Sequence, residues 1–220
     1  YDKLIQSSRF EVEVSNEGNV GTQVNWYHPN VVDTVIAGYD GSLVLGTPGN
    51  LTLAYGTGAN CWLLFDPIIR WIQDTLYFIR TAPAGGAPDT FMFERHYTRF
   101  VHKTLPLEVE AFYIGAFDPD GGPCEDAIWA KYVIHNTGDA TITDIEKALY
   151  LDFDVLPDYE ANAVDGVEQF GVIWQYEMTQ PNFLIGMIQK PVYVDGGACG
   201  GFGVSQATWV YPNSGWDCDT

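Results

Sequence analysis

Phe10-Glu-Val-Glu-Val14 alternates apolar and acidic residues, and Ser15-Asn-Glu-Gly-Asn19 follows it directly. A period of two puts Phe10, Val12 and Val14 on one face of an extended chain and Glu11 and Glu13 on the other. That is the pattern of an antiparallel strand with one face buried and one wet. The Asn-x-Gly step then supplies the residues that tolerate a tight reversal.

The same reading extends along the chain. Thr75–Arg80, Phe91–Tyr97, Leu107–Phe117, Ile128–His135, Leu149–Val155, Val172–Tyr176 and Phe183–Ile188 are short, and they are aromatic-rich or alternating. Turn chemistry falls between them at Asp40-Gly41, Pro48-Gly-Asn50, Asp120-Gly-Gly122, Asn136-Thr-Gly138 and Asp165-Gly166. Helix signals are few. Asp66-Pro67 resembles an N-cap followed by proline at the first helical position, so one or two helical turns are predicted over Ile68–Asp74. A second start is predicted at Asp144–Tyr150. With 23 Gly and 12 Pro spread through 220 residues, long helices have little room. The expected fold is all-β: an antiparallel β-sandwich, large or in two parts, with few short helical turns. Residues 1–220 read as a single domain, and 82–88 is the best candidate for a subdivision.

Composition limits the function. Hydrophobic residues make up 46% and aromatics 15%, enough for a packed core. Ten basic residues against 29 acidic ones give a net charge of −19. Such a surface repels a phosphate backbone and an anionic membrane, so neither nucleic acid nor a lipid surface is an expected partner. No stretch approaches the roughly 20 apolar residues of a membrane span. Tyr1–Phe10 has no initiator Met, basic segment or apolar segment, which leads to the expectation of a mature form or an excised part of a larger protein.

Cys61, Cys124, Cys199 and Cys218 form no CxxC pair, which argues against zinc ribbons and thioredoxin-like motifs. An even count in an acidic, Tyr/Trp-rich chain leads to the expectation of secretion and disulfides. The favoured pairing is Cys199–Cys218, closing a glycine-rich segment, with Cys61–Cys124. Four buried thiols are the other reading.

Three constellations could carry chemistry. The first is acidic: no basic residue lies between Lys147 and Lys190, and Asp152 and Asp154 stand two apart on one strand face. The second is Asp118-Pro-Asp-Gly-Gly-Pro-Cys-Glu-Asp126, whose Asp-x-Asp-Gly resembles the opening of a calcium loop without the spacing of an EF-hand. Asp152, Asp154, Asp118, Asp120 and Asp126 are therefore the candidate metal ligands, with Ca2+ as the cation. A solvated acidic face is the plainer reading of both clusters. The third is a carboxylate pair for glycoside hydrolysis among Glu94, Glu108, Glu110, Asp152 and Asp154. Trp26, Trp62, Trp71, Trp129 and Trp174 offer stacking surfaces for a sugar, although large aromatics in a sandwich more often fill the core. The serine-hydrolase elbow, zincin and phosphate-loop motifs are absent. His28, His96, His102 and His135 are scattered, and they read as structural or surface residues.

Asn16-Glu-Gly-Asn-Val-Gly21, Tyr39-Asp-Gly-Ser-Leu-Val-Leu-Gly46, Tyr132-Val-Ile-His-Asn-Thr-Gly138 and Leu149-Tyr-Leu-Asp-Phe-Asp154 occur in that order over roughly residues 8–190. This series resembles a poorly characterised extracellular β-sandwich module of large secreted bacterial proteins. The second half also resembles CARDB-like and other Ig-like adhesion modules. The resemblance implies a non-catalytic module outside the cell, contacting protein, whether its own copies or other surface proteins. Three functional readings follow. The leading one is an extracellular structural or interaction module, self-assembling into a surface layer or filament. The alternatives are a carbohydrate-binding module, with glycan as partner, and a secreted glycoside hydrolase.

Overall fold

The computed structural model describes residues 2–6, 10–26, 35–36, 40–48, 50–53, 65–80, 89–117, 128–152, 162–167, 172–178, 184–188, 192–195 and 198–201. Every regular element among them is a strand, and every pairing is antiparallel. The chain forms two compact units, Tyr1–Asp152 and Phe153–Thr220. The all-β antiparallel class read from the period-two pattern is the one the chain adopts.

Among the described residues the first unit holds three sheets. One is built from β1 (Asp2–Gln6), β2 (Phe10–Ser15), β3 (Val20–Trp26) and β4 (Val35–Ile36), paired in chain order. A second joins β5 (Asp40–Thr47) to β6 (Asn50–Leu53) and to β11 (Glu146–Asp152), in the order β11-β5-β6. The third is a meander of β7 (Asp66–Arg80), β8 (Asp89–Val101), β9 (Leu107–Phe117) and β10 (Ile128–Asn136). Of the Pro48-Gly-Asn50 signal, Pro48 lies in a turn directly after Thr47, and Asn50 already opens β6 as the partner of Thr47. The second unit contains the sheet β12 (Asn162–Val167), β13 (Val172–Glu177), β14 (Leu184–Ile188) and the pair β15 (Val192–Asp195) with β16 (Ala198–Gly201).

Both expected helical turns are strands. Ile68–Asp74 lies inside β7, where β-branched and aromatic residues favour a pleated surface. Register shifts between Pro67, Ile69 and Ile72 break the alternation there, which is why the sequence did not read as a strand. Asp144 has a left-handed backbone (φ 56°) and is followed by β11, so no helix starts there. Asp40-Gly41 and Asp165-Gly166 are not turns either. They lie within β5 and β12, where pairing overrides local turn preference.

The core of the first unit gathers around the meander. On β8, His96, Thr98 and Phe100 are buried; on β9, Leu107, Val109, Ala111 and Tyr113 are buried. These are directly paired positions, since Phe100 faces Val109, Thr98 faces Ala111 and His96 faces Tyr113. Against this inner face come Ile5 of β1 and Val12 and Val14 of β2, also buried, and β1 lies against β9 as β2 does against β10. Each large apolar side chain taken fully out of water contributes about 1.5–3 kcal/mol. A hydrogen bond from Lys3 Nζ to Gln73 Oε1 (2.9 Å) ties β1 to β7 at the edge of this packing.

Two of the quoted motifs have a definite structural task. In the 15–19 turn, Ser15 Oγ accepts hydrogen bonds from the Glu17 and Asn19 amides, both at 3.1 Å. Gly18 sits at φ 95°, which a side chain would resist. Its carbonyl then accepts a hydrogen bond from the Leu43 amide (3.2 Å), and Asn19 bridges Ser42. The turn therefore docks onto β5. In Asn136-Thr-Gly138, Asn136 Oδ1 accepts from the Gly138 amide (3.0 Å), and the Thr137 amide and hydroxyl both donate to the Pro106 carbonyl. A Cβ at Gly138 would sit 2.9 Å from Pro106 Cγ, so only glycine fits against that ring without movement.

Candidate functional site

The face of the meander turned away from β1 and β2 differs in chemistry from the buried one. Pairing places Tyr97 between Ile72 and Phe112, with Phe112 opposite Lys131. One row along, Arg95 stands between Asp74 and Ile114, and Ile114 opposes Trp129. The other way, Arg99 opposes Glu110, and Glu108 opposes His135. These are the residues that strict alternation puts opposite the core, so half of the sequence pattern builds this surface while the other half builds the interior.

Side chains on this face are linked across strands. The Tyr97 and Phe112 rings are 4.9 Å apart and tilted by 45°, and Phe93 and Trp129 meet at 6.1 Å and 60°. Lys131 Nζ lies over the Phe112 ring at 5.7 Å. Arg99 Nη2 pairs with Glu108 Oε1 at 2.6 Å, and the Tyr97 hydroxyl donates to Glu110 Oε1 at 3.3 Å. His135 Nε2 lies 3.6 Å from Glu110 Oε2. These three polar contacts are all diagonal across the ladder, the reach expected of long side chains on neighbouring strands.

The electrostatics follow from this packing. Burial raises the Tyr97 phenol above its usual range, the Glu110 carboxylate adds to that, and the phenol stays a donor. The hydrogen bond that Arg99 donates to Glu108 raises the guanidinium further, so its charge is permanent. Ile72, Arg95, Tyr97 and Phe112 line a shallow recess of about 250 Å³. Ile72 is 55% exposed and Trp129 39%, so apolar surface reaches solvent beside these charges.

The structure separates the candidate carboxylates. Glu108 and Glu110 share the outer face, whereas Glu94 contacts Gln73 and, at 3.2 Å, His96 Nε2 on the inner face. Asp152 closes β11 opposite Asp40, in a different sheet from all three, and its side chain lies outside the description. Asp118, Asp120, Asp126 and Asp154 lie outside the described residues, as do Cys61, Cys124 and Cys218; Cys199 is on β16 opposite Val194, with its side chain outside the description. Among the described residues no group of three or more His, Cys, Asp or Glu side chains is arranged to hold a metal ion. No described helix is long and apolar enough to cross a membrane.

The tryptophans divide as well. Trp71 is half-buried, with its ring 6.0 Å from that of Tyr113, and serves the core. Trp174 is half-buried in the second unit, and Trp129 alone among the described tryptophan side chains is exposed. Of the histidines, His96 and His102 are buried and His135 is exposed; His28 lies outside the described residues. The sequence reading missed Arg95, Tyr97, Arg99 and Phe112 as a group. Their signal was the odd-numbered alternation through β8 joined to the even-numbered one through β9.

Comparison with known proteins gives no match to a family model, a curated protein or a solved structure.

Proposed function

We propose that this chain is a non-catalytic extracellular interaction module that associates with a second copy of itself through the outer face of the β7–β10 meander. The observation that carries the reading is the concentration of basic side chains there. Arg95, Arg99 and Lys131 all lie on this face of a chain with only 10 basic residues and a net charge of −19. The chain carries 29 acidic residues against those 10, so two copies repel. A face that interleaves Arg99 and Lys131 with Glu108 and Glu110 around Tyr97, Phe112 and Trp129 is where that repulsion is least. A two-fold contact buries the same patch on both copies, so a mixed-charge patch can complement itself. Aromatic and Arg side chains are the residue types that anchor such contacts.

Two further points support this choice over its rivals. A sugar ring stacks best on coplanar rings, and the ring pairs here are tilted by 45° and 60°. A hydrolase needs one carboxyl free to give up a proton and another aimed at a substrate. Glu108 is held by Arg99, and Glu110 by Tyr97 and His135, on an open sheet face.

Three to four strands at about 4.8 Å spacing and some nine residues at about 3.3 Å rise give a footprint of about 430–570 Å². That is the size of a weak, transient interface. Light scattering after size exclusion tests the reading. The wild type is expected to shift from monomer toward dimer as protein rises to roughly 100 µM, a range suited to weak interfaces. The double substitution Trp129→Ser, Lys131→Glu is expected to remain at 24.5 kDa, the mass of one chain. A wild type that stays monomeric throughout, or a double variant that dimerises equally well, refutes the assignment. Binding to a glycan array that dies with Trp129→Ser would replace it with the carbohydrate reading.

A further inference from the structure

Two hydrogen bonds fix which backbone groups of the meander point into the sheet and which point out of it. In an antiparallel ladder the bonds join directly opposed residues, and successive residues turn their amide and carbonyl to opposite sides. The His102 amide donates to the Leu107 carbonyl (2.9 Å), so the odd-numbered residues of β9 bond to β8. The even-numbered ones then bond to β10, where their partners are Trp129, Lys131, Val133 and His135. The Thr137 amide donates to the Pro106 carbonyl (2.8 Å), which continues that same register just past the end of β10. The amides and carbonyls of Ile128, Ala130, Tyr132, Ile134 and Asn136 therefore point away from β9. Among the described residues no strand pairs with that side of β10.

An open edge is a template for another strand, and proteins blunt such edges with short strands, bulges, proline or charge. The opposite edge of the meander is blunted: β7 carries Pro67 and register shifts between Pro67 and Ile72. Every other described edge strand is shorter than β10. β10 has nine residues, holds no proline and pairs with β9 without a shift. It contains no Asp or Glu, in a chain that has 29 of them, and Lys131 is its one permanent charge. Trp129, Ala130 and Lys131 are exposed along it.

We propose that the open edge of β10 pairs antiparallel with β10 of a second copy of this chain. A two-fold register centred on Tyr132 uses all nine residues. It sets Tyr132 opposite Tyr132, Ala130 opposite Ile134 and Ile128 opposite Asn136, which are the residues whose amides point outward. Lys131 then stands opposite Val133 and Trp129 opposite His135, so no like charges are directly opposed. Centring one residue earlier would set Lys131 against Lys131. A second copy fits because it presents, at this strand, the part of a chain of net charge −19 that carries no negative charge. Backbone hydrogen bonds supply the affinity, as in other cases of strand addition. The edge lies in the plane of the sheet and the mixed-charge outer face lies normal to that plane, so one contact leaves the other open. The edge contact stands without the face contact. Only the open chain that the two contacts build together rests on both.

The experiment is amide hydrogen exchange of the whole chain, followed residue by residue by NMR at low and high protein concentration. The amides of Trp129, Lys131, Val133 and His135 are expected to be protected at every concentration, because they bond to β9. Those of Ala130, Tyr132 and Ile134 are expected to exchange fast in dilute protein. At total protein about ten times the dissociation constant, about one chain in five is unpaired, and exchange of this second set slows about fivefold. Ala130→Pro removes no bond to β9, so it is expected to fold and to lose the slowing at Tyr132 and Ile134. If that variant does not fold, the wild-type exchange pattern alone decides. Outward amides that exchange equally fast at roughly 10 µM and roughly 1 mM overturn the proposal. A strand supplied by a different protein gives that same result. A folded Ala130→Pro protein that keeps the slowing overturns it too. Ile72→Glu alters the outer face on β7, at the opposite edge of the sheet, and separates the two contacts. Association that Ile72→Glu abolishes, with no slowing at the outward amides, removes the edge contact and leaves the face contact. Slowing and association that both survive Ile72→Glu remove the face contact and leave the edge.

Discussion

Replacing His102 with Phe should cost the fold about 2–4 kcal/mol while preserving the shape of the core. His102 follows β8 directly and is almost fully buried. Its Nδ1 accepts hydrogen bonds from the Thr104 amide (3.2 Å) and the Leu105 amide (3.1 Å). An atom accepting two N–H groups carries no proton, so the proton is on Nε2, which donates to the Leu45 carbonyl of β5 at 3.0 Å. One ring thus closes the β8–β9 connection and pins it to another sheet. Phenylalanine keeps the volume and the edge contact to Phe65, whose centroid lies 6.1 Å from that of the imidazole. It removes the acceptor for two amides and the donor to one carbonyl. Thr104 is exposed, so its amide can turn to water. The Leu105 amide and the Leu45 carbonyl are less accessible, and each buried group that loses its partner costs about 1–3 kcal/mol. Urea denaturation measures the effect. With a slope of about 2 kcal/mol per molar, the midpoint should fall by about 1–2 M. His102→Asn, which restores a side-chain acceptor, should recover part of the loss. If His102→Phe stays within about 0.5 kcal/mol of wild type, the hydrogen bonds described here do not hold this connection and the reasoning fails.

Other perturbations test other parts of the packing. The Tyr132 hydroxyl donates to that of Tyr113 at 3.4 Å; burial pushes Tyr132 up to about 12 and Tyr113 well above the usual phenol range. An unfolded tyrosine ionises near 10, so above that pH the unfolded chain loses protons that the native one keeps. Stability from this pair should be complete below pH 10 and fall by about 1.4 kcal/mol per pH unit per tyrosine as pH rises toward 12. Urea midpoints at pH 9, 10 and 11 check this, and Tyr132→Phe should flatten the slope; an equal slope in both proteins counts against it. Gly138→Ala forces a methyl against Pro106 Cγ and should destabilise by about 1–3 kcal/mol, read as a lower melting midpoint. Glu108→Gln weakens a partly exposed ion pair with Arg99 and should cost less than about 1 kcal/mol at low salt, and less still in high salt. A larger, salt-independent loss would mean that Glu108 has a structural role beyond that pair.

Strands were legible wherever one face is buried and the other wet. Leu107–Phe117 alternates over its whole length because Val109, Ala111 and Tyr113 face the core while Glu108, Glu110 and Phe112 face out, and β9 has those same bounds. β7 was hidden for the opposite reason. Its bulges between Pro67 and Ile72 reset the alternation, and Ile68 and Ile72 are apolar yet exposed. Asp-Gly steps misled at β5 and β12 because a dipeptide that permits a turn does not require one. The outer face was harder still. Each strand shows only one row of it, and which rows lie side by side depends on register: Tyr97 meets Phe112 rather than Phe117 because β8 and β9 pair as they do.

The same dependence on register explains what the scattered motifs do. Asn16-Glu-Gly18, Asp40-Gly-Ser42 and the strand ending at Asp152 span more than half of the chain, yet each is short and ordinary alone. Their meaning lies in the junction they build. Gly18 allows the turn whose carbonyl receives the Leu43 amide, Asn19 bridges Ser42, and β11 pairs along the other side of β5. β11 comes about a hundred residues after β5, so closing this pair costs far more chain entropy than closing a hairpin. The meander between them is made of sequential neighbours and can form locally, bringing the ends of its segment together as it does. The junction then fastens what the meander has brought near. Loosening it, by Ser42→Leu for instance, should raise the unfolding rate more than it lowers the folding rate, because these contacts form late. Kinetic arms showing the reverse would place the junction in the folding nucleus and leave the meander to follow.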